Sequence, residues 1–295
     1  MSAKKSNLPE PADVRPLSVD MRRLSRVGSR PGFLDYLVQL WDFRQFIFYD
    51  ARARVQSGTR RDRLGSMWLL LNPVLNGLTY YFIFGLLLNT SGGIKNFVGY
   101  LVVGIFIFQF SAGAITAGAR SIRNGKSVVQ AFNFPRAALP LGANIRELLA
   151  AVPLVLAMLL LIVVIPPAEE ITWLWFLVVP AVLLQGLFNL GVGMILARII
   201  SKVNDVTHLI PFAIRAWMYG SAVFYSYERF ISHPVLLSVM KLNPLYNVID
   251  IIRSCVLYNR VPSWESWATL AVVSFAAVMV GFFFFWGGEE SYGRD

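Results

Sequence analysis

The sequence predicts an all-α integral membrane protein: six transmembrane helices, an N-terminal amphipathic interfacial helix, and short re-entrant helices before the last span. Three observations predict it. Hydrophobic residues make up 56% of the 295 and charged residues only 15%, where a soluble domain carries about 25% charged residues. Mean hydropathy is +0.56. Apolar runs near the length a bilayer requires, about 20 residues, recur six times along the chain.

The elements follow in order. Residues 1–32 are polar and rich in arginine. No apolar core follows within a signal-peptide window, so they read as an uncleaved, disordered cytoplasmic tail. Residues 33–288 read as one transmembrane domain and 289–295 as a short cytoplasmic tail. In 33–56, Phe33, Leu37, Leu40, Trp41 and Phe48 recur at helical spacing, interrupted by Asp35, Asp42, Arg44, Asp50, Arg52 and Arg54. So many charges exclude a span, and the segment is expected to lie in the membrane interface.

The six spans are expected at 68–88, 97–117, 138–165, 172–197, 206–227 and 267–286. The third carries Arg146 and Glu147 near its start, where a local pair or snorkelling is expected, and the fifth carries Arg215. Between the last two, the run 234–257 is broken by Lys241, Asn243, Pro244, Asp250 and Arg253. That pattern suits two short helices that dip into the membrane and return. Asp250 and Arg253, three apart, are expected to form a local ion pair, with gate closure as the alternative.

Lys and Arg counts set the orientation. The stretch 41–66 holds six, 119–136 holds four with no acid, and 198–206 holds two. The intervening loops are poor in them: 89–96 holds only Lys95, and 166–171 holds none. Both termini are therefore expected in the cytoplasm. The net charge of +10 fits anionic lipid headgroups, since the basic residues flank apolar runs. No soluble basic domain is present to bind nucleic acid. One cysteine, Cys255, excludes an intrachain disulfide, and the two histidines, His208 and His233, form no cluster for a metal.

Gly125-Lys126-Ser127 has the end of a phosphate-binding loop, but Arg120 stands where that loop needs its first glycine, and no strand precedes it. If the protein uses ATP, another chain hydrolyses it. The basic connector 119–136 has a short amphipathic segment, 128–134, and suits either topology alone or docking to a partner. Aromatic rings stack on sugar faces without demanding one register. Tyr80, Tyr81 and Phe84 on the first span, and Trp217, Phe224 and Tyr225 on the fifth, are candidates for a glycan channel. Trp217 and Phe224 are expected to share one helical face. Interfacial anchoring or helix packing is the plainer reading of the same rings. Arg215 lies about ten residues inside its span, a depth at which an arginine faces protein or water. Its guanidinium fork matches a diphosphate; an internal partner such as Glu147 is the alternative.

Several stretches together resemble the membrane subunits of ABC-2-type exporters, in the branch exporting O-antigen, teichoic acid and mycobacterial galactan. They are Asn72-Pro73 with Tyr80-Tyr81-Phe82-Ile83-Phe84-Gly85; Phe132-Asn133-Phe134-Pro135-Arg136 with Leu139-Pro140; Ser221-Ala222-Val223-Phe224-Tyr225-Ser226 with Glu228-Arg229; and Asn243-Pro244-Leu245-Tyr246 through Arg253. The family tends to carry proline where this chain has Ala222. The resemblance implies a homodimer with two copies of a cytoplasmic ATPase, which holds the ATP and magnesium while this chain binds no cofactor and catalyses nothing. It implies a gate helix at 33–56 and a coupling helix near 124–134, with Arg123, Asn124, Lys126, Val128, Phe132, Phe134, Pro135 and Arg136 meeting the ATPase. Re-entrant helices near 234–258 would carry Asn243, Pro244, Asp250 and Arg253 at the exit. The cargo would be a polysaccharide on a polyprenyl diphosphate. An ABC-2 exporter of small hydrophobic molecules shares the fold. A membrane enzyme acting on polyprenyl phosphates would need acids or histidines that here are scattered among separate loops.

Overall fold

The computed structural model describes residues 32–57, 67–83, 96–132, 134–165, 169–225 and 234–292. These residues are helical with no strand among them. Four helices are long and apolar enough to cross a membrane. They are α4 (Phe97–Ala119), α7 (Ala138–Val164), the Trp173–Lys202 helix and α12 (Trp264–Trp286). They fall on the spans expected at 97–117, 138–165, 172–197 and 267–286. The third of them starts as a 3-10 turn, Trp173–Leu177, and continues as α8, Val178–Lys202.

The other elements are shorter. The interfacial segment is two helices, α1 (Phe33–Asp42) and α2 (Arg44–Ser57), jointed at Phe43. Helix α3 (Trp68–Tyr80) opens the expected first span; residues 84–88 lie outside the described residues. The connector forms α5 (Ser121–Asn124) and α6 (Lys126–Ala131). Helix α9 (Val206–Tyr219) ends eight residues before the expected 227. At about 1.5 Å per residue, its 14 residues fall short of a hydrocarbon core about 30 Å thick. It stops because Gly220 caps it and Ala222 turns to a positive φ of 51°. Two further short helices, α10 (Pro234–Leu242) and α11 (Pro244–Val256), precede α12.

Helix α8 is the axis of the packing, with α12, α4, α7 and α11 around it. Glycines permit this. A methyl group on Gly191 would lie 2.3 Å from the Ala277 backbone, and one on Gly281 2.3 Å from the Gly191 carbonyl oxygen. Toward α4, Gly118 and Gly193 meet backbone to backbone. Between helices already surrounded by apolar solvent, such van der Waals contact replaces the hydrophobic drive. Helix α11 is the most enclosed short element, buried along nearly its whole length against α4, α8 and α12.

A consequence is testable. Gly191→Ala is expected to cost about 1–3 kcal/mol by overpacking against backbone that cannot yield. Gly77→Ala meets nothing within 4 Å and is expected to be neutral or to gain a few tenths of a kcal/mol from helix propensity. Thermal unfolding of the detergent-solubilised protein separates the two.

Candidate functional site

The gate candidates converge. Asn243 caps α11: its Oδ1 accepts from Leu245 N (3.1 Å) and Trp217 Nε1 (3.0 Å). Its Nδ2 donates to Ser221 Oγ (2.8 Å) and the Gly220 carbonyl (3.3 Å). Pro244 occupies the first turn of α11, where its missing N–H costs nothing. One amide side chain thus ties the end of α9 to the start of α11. Arg253 lies opposite, only 4% exposed. Its guanidinium donates to the carbonyls of Tyr100 (2.9 Å), Ala222 (3.0 Å) and Val223 (2.9 Å) and stacks 3.2 Å above the Tyr100 ring. The expected ion pair with Asp250 is therefore corrected. Arg253 spends its donors on backbone oxygens, and Asp250 Oδ2 accepts from Ser266 Oγ at 3.2 Å.

The aromatic candidates divide. Tyr81 and Trp217 are half-buried against the main apolar core. Phe224 is 1% exposed and lies beyond the end of α9, so it does not share a helical face with Trp217, as was expected. The Tyr225 hydroxyl donates to the Tyr219 carbonyl, and its own carbonyl accepts from Tyr100 Oη (2.6 Å). Only the backbone of Tyr80 is described, and Phe84 lies outside the described residues. The open surface of α9 is carried instead by Leu209, Phe212 and Tyr219. Phe212 was not singled out from sequence, although its spacing from Tyr219, seven residues on, was there to read.

Arg215 is exposed on α9 and makes no hydrogen bond or ion pair among the described residues. Glu147, its candidate partner, pairs with Arg146 at 3.0 Å. That matches the local pairing expected for these two.

On the connector, one face is buried and one is free. Val129 is buried, while Lys126, Val128 and Phe132 are exposed. Arg123 ties the connector to the 202–206 turn through Asn204 Oδ1 (2.9 Å) and Thr207 Oγ1 (3.4 Å). Asn124 is exposed and lines the cavities on both sides of the connector. Phe134 approaches Phe43 at 6.3 Å between ring centroids, and Pro135 is buried.

Arg136 leads to a contact that sequence reasoning missed. Its backbone N–H donates to Glu289 Oε1 (2.9 Å), and its guanidinium donates to the Glu289 carbonyl. Tyr36 Oη donates to Glu289 Oε2 (2.8 Å) and accepts from Ala137 N (3.0 Å). Tyr36 and Glu289 are almost wholly buried. Residues 289–292 thus fold onto the helices, with Tyr292 stacked on Phe285 at 4.7 Å. No local sequence signal links residues 253 positions apart. Burial raises the Glu289 carboxyl above its usual range, against the lowering effects of the Arg136 N–H, the Tyr36 hydroxyl and the Arg136 charge. Burial, followed by the Glu289 charge, likewise raises the Tyr36 phenol.

Comparison with known proteins fits this architecture. The model of the ABC-2 type transporter family matches residues 50–257, and the chain belongs to that family. It is a membrane-embedded transporter subunit. An O-antigen export system permease protein RfbA of Myxococcus xanthus is 23% identical over 239 residues, covering 80% of this chain and 89% of that protein. A protein of the same name from Klebsiella pneumoniae is 25% identical over 236 residues, covering 79% and 86%.

Two outcomes test the site. Arg253→Met strands three buried carbonyls at about 1–3 kcal/mol each. It is expected to abolish monodisperse elution in size-exclusion chromatography, with Arg253→Lys intermediate. For Glu289, the folded state holds the proton more tightly than the unfolded state does. Its contribution is complete below the unfolded value near 4.3 and is lost as pH rises through the raised folded value. Glu289→Gln keeps the shape, because the Tyr36 hydroxyl can reverse its bond. Melting temperature is expected to fall less between acid and neutral pH in the variant than in the parent.

Proposed function

We propose that this chain is the membrane half of an ATP-driven exporter that moves a lipid-linked polysaccharide across the bacterial plasma membrane. The observation that carries the reading is the similarity, over about four-fifths of the chain, to proteins named as O-antigen export permeases. In this reading two copies pair, and α3 and α9, each together with the chain that follows it, complete six crossings per protomer. The exposed faces of these helices, with Leu75 and Leu78 on α3, Phe82 just beyond it, and Phe212 and Tyr219 on α9, form the wall of a passage between protomers. Helices α10 and α11 sit at the outer exit as re-entrant elements.

Two copies of a cytoplasmic ATPase supply the energy, and this chain hydrolyses nothing. The free face of the connector supports that arrangement. Val128 and Phe132 stay exposed on a segment whose other side is buried. Exposed apolar groups rimmed by basic ones suit a groove in a soluble partner. Motion received there reaches α1 through the Arg136–Glu289–Tyr36 contact.

Two measurements decide the reading. Depleting the chain in cells is expected to accumulate lipid-linked glycan on the cytoplasmic side, and unchanged surface glycan would end the proposal. Val128→Asp or Phe132→Ala is expected to weaken co-purification with the genetically adjacent ATPase by about 2 kcal/mol, roughly thirtyfold. Both side chains are exposed, so folding is expected to survive.

A further inference from the structure

Helices α4 and α9 run antiparallel. Arg123, just beyond the end of α4, reaches Thr207 in the first turn of α9, and Tyr100 near the start of α4 reaches the 222–225 turn that follows α9. Between them lies a groove of about 640 Å³. Its walls are mostly apolar, with Phe108, Pro211, Ile214 and Met218, and its charged lining residues are Arg120 and Arg215. No carboxylate lines it among the described residues. Glu147 abuts Gly113 from the α7 side and is already paired with Arg146.

Neither arginine has a protein acceptor among the described residues, and Arg120 Nε is enclosed without a partner. Arg120, the residue that caps α4, and Arg215 within α9 line the same groove. A C-terminal helix position accounts for a basic residue at 120. It does not account for an orphaned N–H, nor for a second unpaired guanidinium in the same apolar-walled groove. The Arg120 Nε–H is one of several enclosed polar atoms without a partner among the described residues; what sets it apart is the second guanidinium, exposed Arg215, in the same groove.

We infer that the α4–α9 groove is an anion site in which Arg120 and Arg215 hold the phosphate or diphosphate headgroup of a lipid. Guanidinium forks pair with phosphate oxygens in two-point contacts. The apolar walls accept the adjoining chain, which a free phosphate would not use. The inference deepens the exporter reading, because a lipid-linked cargo presents such a headgroup, but the site can be tested without it.

The test is isothermal titration of the full-length chain in phosphatidylcholine nanodiscs with farnesyl diphosphate, farnesol and inorganic pyrophosphate. Saturable binding of farnesyl diphosphate is expected, weakened about tenfold or more in Arg120→Ala and Arg215→Ala, the loss for a charge-assisted hydrogen bond. Arg260→Ala removes the same charge from an exposed position after α11 and is expected to change nothing. Competition by pyrophosphate equal to that of farnesyl diphosphate assigns recognition to the phosphates alone; weaker competition adds the lipid chain. Equal binding of farnesol, unchanged affinity in both alanine variants, or an equal loss in Arg260→Ala overturns the site. Should the alanine variants not elute as folded, Arg120→Lys and Arg215→Lys carry the test, and unchanged affinity in both overturns it. No ATPase or glycan enters the assay. Loss of the site therefore leaves the exporter reading standing, and normal export after depletion leaves the site standing.

Discussion

The interior of this protein depends on one guanidinium. Helix α9 stops at Tyr219, and the chain turns through 220–225 amid apolar packing. A helix that ends there leaves carbonyls with neither helical partner nor water, a cost of several kcal/mol per group in lipid. Arg253 answers it by donating to Ala222 and Val223 together with Tyr100 on α4. The seat for it is built from both sides. A methyl at Gly104 would stand 2.8 Å from Arg253 Nη2, so only glycine leaves the room. The Tyr100 ring lies beneath the guanidinium, while its hydroxyl donates to the Tyr225 carbonyl. Ala222 accepts a positive φ within this clamp. Proline, which the family resemblance expects at this position, has φ fixed near −65°. Proline could not take the φ of 51° that Ala222 adopts here.

From this clamp the remaining geometry follows outward. Because the 220–225 turn is fixed, Asn243 can bridge it to α11, and α11 can bury Asn247 and Arg253 with their donors used. At the opposite end, Glu289 does the comparable work with the opposite charge. It collects the Tyr36 hydroxyl and the Arg136 N–H. The interfacial helix, the connector exit and the end of α12 thus meet at one carboxylate. A displacement of the connector cannot leave α1 behind without breaking buried hydrogen bonds. The Arg253 clamp holds the start of α4, the helix whose glycines press it against α8.

What the sequence made legible was the part governed by composition and period. Four spans were readable because runs of uncharged apolar residues have no other use. The break into α10 and α11 was readable from Asn243-Pro244. The short α9 was not. Its hydrophobicity continues past Tyr219, and only the three-dimensional arrangement of Tyr100, Gly104 and Arg253 makes a break there affordable. Phe224 was taken for a helical neighbour of Trp217 for the same reason: periodicity assumes that the helix persists. Tyr36 and Glu289 were invisible because pairing across most of the chain leaves no local pattern. The free face of α9 was legible in principle, since Leu209, Phe212 and Tyr219 lie at helical spacing, but nothing in one sequence says which face neighbours will cover.

The arginines show how a structure sorts residues that a sequence ranks alike. Arg215 and Arg253 both interrupt apolar stretches, and each must recover the free energy of leaving water. Arg253 recovers it within the protomer, from backbone oxygens it alone can reach, and so its role is to permit the fold. Arg215 recovers nothing from the described protomer, and Arg120, which from sequence was only one of four connector charges, keeps an N–H without an acceptor. Arg215 is exposed, so its partner comes from what the protein meets: water, lipid or a ligand. Water would serve at the groove mouth but does not explain walls of phenylalanine, isoleucine and methionine. A negatively charged group joined to an apolar body explains the walls and the arginines together. That conjunction, more than the aromatic residues alone, is what the proposed lipid-headgroup site rests on.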